Sequence, residues 1–147
     1  MGGGPIGVPR VNQLIVLDNE AVQALGDPSH PKHRKLLSYA QVAANRKRRA
    51  LDIKLIVPTA VRVEAGWDRR AASWAFANLL RINDVALDTA AANAAARMRS
   101  KTGVSVPDTH LGAVIEAAQA VRITVLTSDP ADIRRVAGDS AVVIVAI

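Results

Sequence analysis

The sequence has no cysteine, and among its 147 residues it holds one tyrosine, one phenylalanine and two tryptophans. Without cysteine there are no disulfides, no thiolate-ligated zinc and no thiol nucleophile, and a cytoplasmic location is the simplest expectation. Scarce aromatics leave the core to Ala, Val, Leu and Ile, since half the residues are still hydrophobic. No apolar run approaches the ~20 residues that cross a bilayer, so no membrane partner is expected. The opening Met1-Gly2-Gly3-Gly4-Pro5 lacks the basic start, apolar centre and cleavage site of a signal peptide. Residues 1–12 are expected to be a flexible leader or an expression remnant, and 13–147 one domain. A domain of that size buries about two-thirds of its unfolded-chain surface. Nucleophile elbows, phosphate-cradling loops and dinucleotide fingerprints are also missing.

The charge is one-sided: the net value is +6 and the pI about 10.5, which favours a polyanionic partner. Of nineteen basic residues, eight fall between Lys32 and Lys54, including the run Arg46-Lys47-Arg48-Arg49. That run fits either a solvated helix end, where cations complement the dipole, or a contact with phosphate or an acidic partner.

Short apolar runs alternate with helical patterns. Strands are expected at Leu14–Leu17, Ile53–Val57, Val85–Leu87, Ile123–Thr127 and Ala141–Ala146. Helices are expected at Ala21–Leu25, from about Lys32 to Arg49, after Pro58 with Thr59 as cap, and over Arg69–Arg81. Three more follow: an alanine-rich helix capped by Asp88 or Thr89 and ended by Gly103, one from Asp108 or Thr109 to Ala120, and a short one at Ala131–Val136. Strands alternating with helices imply an α/β fold, a three-layer α/β/α sandwich around a mostly parallel sheet.

Four acids sit at the junctions of these elements. Asp18 directly follows the first strand, Glu64 lies in the helix after Pro58-Thr59, Asp108 follows Pro107, and Asp129 follows Thr127-Ser128. Asp18, Asp108 and Asp129 each suit a helix cap. Glu64 lies among Val61, Val63, Ala65 and Trp67, a poor place for a solvent-facing charge. Ligands of parallel α/β sheets bind beyond the strand carboxyl ends, so the four acids are expected to share one crevice. Two carboxylates ~4 Å apart repel by roughly 4 kcal/mol at an effective dielectric of about 20. Such a set needs protons or a hard divalent cation, Mg²⁺ or Mn²⁺. His30, His33 and His110 form no metal triad, and the remaining acids read as cap, loop or surface residues.

In order and spacing (46, 44 and 21 residues between successive acids) these segments resemble the PIN domain family, in particular the VapC-type toxins of toxin–antitoxin pairs. The segments are Leu-Ile-Val-Leu-Asp18, Pro58 to Glu64, Val106 to Ala113 and Val125 to Asp132. The resemblance implies a Mg²⁺- or Mn²⁺-dependent endoribonuclease with Asp18, Glu64, Asp108 and Asp129 as catalytic acids. These four would hold the metal, with Asp132 as an outer contributor and the Thr127 hydroxyl bonded to neighbouring carboxylates. It also implies an RNA substrate such as transfer or ribosomal RNA, a cognate antitoxin, and a homodimer. Arg62, Arg69 and Arg70 are expected at the rim as phosphate contacts. Glu20 departs from the family pattern, either pointing away or adding a fifth negative charge. Two other readings remain: a catalytically inert RNA- or protein-binding module, and a haloacid-dehalogenase-type phosphohydrolase using Asp18 and the Asp129–Asp132 segment.

Overall fold

The computed structural model describes residues 11–47, 52–118 and 120–147. Five parallel strands form one sheet: β1 (Val11–Leu17), β2 (Ile53–Pro58), β3 (Asn83–Val85), β4 (Ala120–Thr127) and β5 (Val143–Ala146), in the order β3-β2-β1-β4-β5. β1 is central, with Ile15 opposite Leu55 of β2 and Thr124 of β4. It begins two residues before the expected domain boundary. The rest of the leader lies outside the described residues, as do Arg48 and Arg49 of the basic run.

The continuous apolar run in β1 reflects burial on both faces. Ile15 and Leu17 join one core with α1 (Asn19–Gly26), α2 (His33–Lys47) and α3 (Thr59–Ala65). Leu14 and Val16 point the other way, into a core with α6 (Val106–Ala117) and α7 (Pro130–Ala137). Side chains alternate across a strand, so a strand between two helical layers must be apolar throughout. α5 (Thr89–Thr102) packs outside α6, where an added Cβ on Gly112 would stand 2.8 Å from both Met98 Sδ and Val136 Cβ. Gly112 therefore sets how closely α5, α6 and α7 approach. This is the α/β/α sandwich the sequence implies.

Several boundaries differ from expectation. Arg69–Arg81 is not a continuous helix but a 3₁₀ turn at Ala72–Trp74 followed by the four-residue α4 (Ala75–Asn78). Here side chains take backbone partners that a helix would use: Asn78 donates to the Arg69 carbonyl (2.7 Å) and Arg69 to that of Ile82 (2.7 Å). Arg81, at φ 56°, lies in the left-handed region and closes the segment. α6 starts at Val106 because Ser105 is its cap, accepting from the Asp108 N–H, and Pro107 is tolerated in the first turn. Thr59 does not cap α3; its hydroxyl accepts from the Leu87 N–H instead (3.2 Å). Asp88 and Gly103 bound α5 as expected. Among the described residues no helix is long and apolar enough to cross a membrane.

Candidate active site

The sheet reverses its winding between β1 and β4, the place where ligands of parallel sheets bind, in the crevice beyond the strand carboxyl ends. Asp18 ends β1 at this point and is buried, at 5% exposure. One carboxylate oxygen accepts from the Ala21 N–H (3.0 Å), capping α1, and the other from the Ser128 N–H after β4 (3.1 Å). Asp18 thus clamps together the two loops that border the crevice. Burial pushes its pKa up, against hydrogen bonds from the Thr127 hydroxyl and these two N–H groups.

Asp129 and Asp132 enter from the start of α7. Asp129 occupies the N-cap position, yet its side chain makes no well-aligned cap hydrogen bond and has only a weak contact with the Asp132 backbone. Its N–H donates to the buried Thr127 hydroxyl (2.9 Å), leaving the carboxylate beside Asp132. Asp108, in the first turn of α6, reaches the same point. One carboxylate oxygen from each of Asp108, Asp129 and Asp132 lies within 4.8 Å of the others. At that separation two ionised carboxylates repel by about 3.5 kcal/mol at an effective dielectric near 20.

The titration behaviour records this crowding. Burial, then Glu64, Asp18 and Asp132, push the Asp108 carboxyl up to about 6. The shared hydrogen bond with Asp132, burial and the Asp132 charge raise Asp129. Glu64 is exposed on α3, and its pKa is raised by partial burial and by Asp18. It stands outside the tight three-acid group but within electrostatic reach of Asp108 and Asp18. Asp132, expected as an outer contributor, belongs to the tight group. Its signal was the three-residue spacing from Asp129, which at a helix start puts both carboxylates on one side. Three oxygen donors gathered this closely could hold a metal ion.

Other side chains settle elsewhere. Glu20 turns to His30, with Oε1 2.7 Å from Nε2, outside the tight three-acid group, while its charge still helps raise the Asp18 pKa. Arg62 and Arg69 are not free for phosphate: both lie against Asp84, at 3.1 and 2.8 Å, and Arg69 also covers the Trp67 ring at 4.3 Å. The Arg62 Nε contact with Asp84 is close but poorly angled for a hydrogen bond. Arg70 pairs with Asp68. His110 is fully buried behind the crevice, its Nδ1 accepting from the Ala60 N–H (3.3 Å) while Nε2 lacks a well-aligned partner among the described residues. Burial lowers its pKa, with the Ala86 carbonyl and Asp88 opposing.

Two solved structures share this fold. VapBC2 from Rickettsia felis, solved bound to a DNA fragment from its promoter, superposes with a TM-score of 0.56 at 11% identity, over 91% of this chain and 98% of that one. FitAcB from Neisseria gonorrhoeae gives a TM-score of 0.53 at 18% identity, over 88% and 96% of the respective chains. No protein-family model matches the sequence, and no curated protein does either. At such identities the likeness is one of fold, and the PIN-like sandwich expected from the sequence stands at that level.

Proposed function

We propose that this chain is a Mg²⁺- or Mn²⁺-dependent endoribonuclease, the cytoplasmic toxin of a toxin–antitoxin pair. The observation that carries this reading is the meeting of Asp108, Asp129 and Asp132 within 4.8 Å, at the sheet's switch point, with Asp18 and Glu64 close enough to raise the Asp108 pKa. Three carboxylates held this close, with Arg135 beside Asp132 as the one base against them among the described residues, favour a hard cation over mutual ionisation. Asp108, Asp129 and Asp132 would hold it, with Glu64 adding negative charge from α3. When bound, such a cation supplies Lewis-acid stabilisation of phosphodiester oxygens and a more acidic water.

The chain's own residues do the positioning. Asp18, held by the Ala21 and Ser128 N–H groups, fixes the turn that presents Asp129. Thr127 fixes the Asp129 backbone from below. A raised Glu64 carboxyl at the crevice edge suits the transfer of a proton from the attacking water. No side-chain nucleophile is required. Fold likeness to VapBC2 and FitAcB supports an antitoxin as partner, and the same reading gives RNA as substrate and a homodimer as the assembly.

Purified transfer and ribosomal RNA, incubated with the protein and Mn²⁺ or Mg²⁺, should be cut, and EDTA should stop the reaction. Asp108→Asn and Asp129→Asn should each lose cleavage. Cutting that survives EDTA, or persists in both variants, would overturn the scheme. A small protein with a DNA-binding segment, encoded immediately upstream and co-purifying with this chain, is the expected antitoxin.

A further inference from the structure

The cations expected to meet phosphate are engaged elsewhere, but a different set borders the acids. Arg135 on α7 joins two elements: Nη1 lies 3.5 Å from Asp132 Oδ1, while Nη2 donates to the Thr102 carbonyl at the end of α5. One guanidinium therefore spans from the acidic group to the last turn of α5. That turn carries Arg99 and Lys101, and α7 carries Arg134 beside Arg135. Arg99, Lys101 and Arg134 are exposed, and none has a carboxylate partner among the described residues. Arg99 is steadied by the Val104 carbonyl (3.3 Å) and Arg134 by that of Val142 (3.3 Å), which orders each stem and leaves the charge uncompensated.

Cations at one helix C-terminus gain from its dipole. The end of α5, tied to Asp132 through Arg135, sets positive charge beside the carboxylate cluster, and Arg134 extends it along α7 away from the acids. A phosphodiester strand approaching five carboxylates is repelled unless neighbouring positive charge holds it. Arg122, by contrast, lies near the amino end of β4, away from the strand ends that carry the acids.

We propose that the last turn of α5 and the exposed side of α7 form the track for the backbone of single-stranded RNA, with Arg99, Lys101, Arg134 and Arg135 contacting successive phosphates. The assignment rests on the nuclease reading for the identity of the polyanion and deepens it, but binding can be read without cleavage.

The test is fluorescence anisotropy of the full chain with a labelled mixed-sequence oligoribonucleotide in EDTA, across a salt series. For single strands the slope of log K against log salt falls by about 0.7 per lost phosphate contact. The triple variant Arg99→Ala/Lys101→Ala/Arg134→Ala should flatten the slope by about 2 and weaken binding at least tenfold. Lys101→Gln alone, at a side chain with no hydrogen bond among the described residues, should weaken binding while lowering the melting temperature by no more than a few degrees, the loss of its helix-dipole contact. Arg122→Ala and Arg97→Ala, the latter removing an arginine paired with Glu116 at 2.6 Å, should keep wild-type affinity and slope. The track is overturned by an unchanged slope in the triple variant, by equal losses in the controls, by no RNA binding in the wild type, or by tighter, equally rim-dependent binding of duplex DNA. RNA bound through the rim but never cut with Mn²⁺ would instead sink the nuclease reading alone.

Discussion

Replacing Asp108 with Asn should stabilise the metal-free protein at neutral pH. The Asp108 carboxyl has an ordinary value of 3.8 and is pushed to about 6 in the fold by burial first, then by Glu64, Asp18 and Asp132. A raised carboxyl binds its proton more tightly folded than unfolded, so stability is lost as pH rises through this window. Below about 3.8 both states are protonated and nothing is lost. Above about 6 both are ionised and the loss is complete. At 1.36 kcal/mol per pH unit the gap amounts to about 3 kcal/mol, and solvent screening of a partly exposed group reduces it to roughly 1–3 kcal/mol. In a domain of this size that is roughly 3–9 °C in melting temperature. Thermal unfolding followed by circular dichroism in EDTA, from pH 4 to 8, provides the assay. The Asn variant should match the wild type near pH 4 and exceed it by the full margin near pH 7. If the two melting curves stay parallel across the range, the crowding of Asp108 by its neighbours is refuted.

Other consequences follow from the same contacts. Mn²⁺ at a hundred times its dissociation constant should stabilise the wild type by about 2.7 kcal/mol, and Asp129→Asn should remove most of that gain; an equal thermal shift in the variant would place the cation elsewhere. Asp18→Asn turns an amide NH₂ toward the Ala21 or Ser128 N–H and should cost about 1–3 kcal/mol in denaturant unfolding, with stability unchanged counting against the clamp. Gly112→Ala pushes a methyl against Met98 and Val136 and should cost about 1–3 kcal/mol in denaturant unfolding, with unchanged stability counting against the close approach of these helices.

The acids show how local sequence and tertiary contact divide the information. Asp18 was legible because a doubly buried strand run ends on it, and in a parallel sheet that end faces the ligand crevice. Asp129 and Asp132 were legible as a helix start, but a cap and a ligand look alike in one dimension; only the fold shows that the Asp129 carboxylate makes no well-aligned cap and lies beside Asp132. The fate of Glu20 depended on where His30 lands, ten residues away across a turn.

Apolar patterning alone determined the alternation of strands and helices, the burial of β1 on both faces and the caps at Asp88 and Gly103, because these follow from period and local backbone chemistry. Tertiary structure decided which charges are free. Arg62 and Arg69 looked available in the sequence and are held by Asp84 and Trp67, whereas the end of α5 came to flank the acids only when Arg135 brought Thr102 to Asp132. Electrostatic partnership depends on separation in space, and residues distant along the chain acquire that separation only on folding.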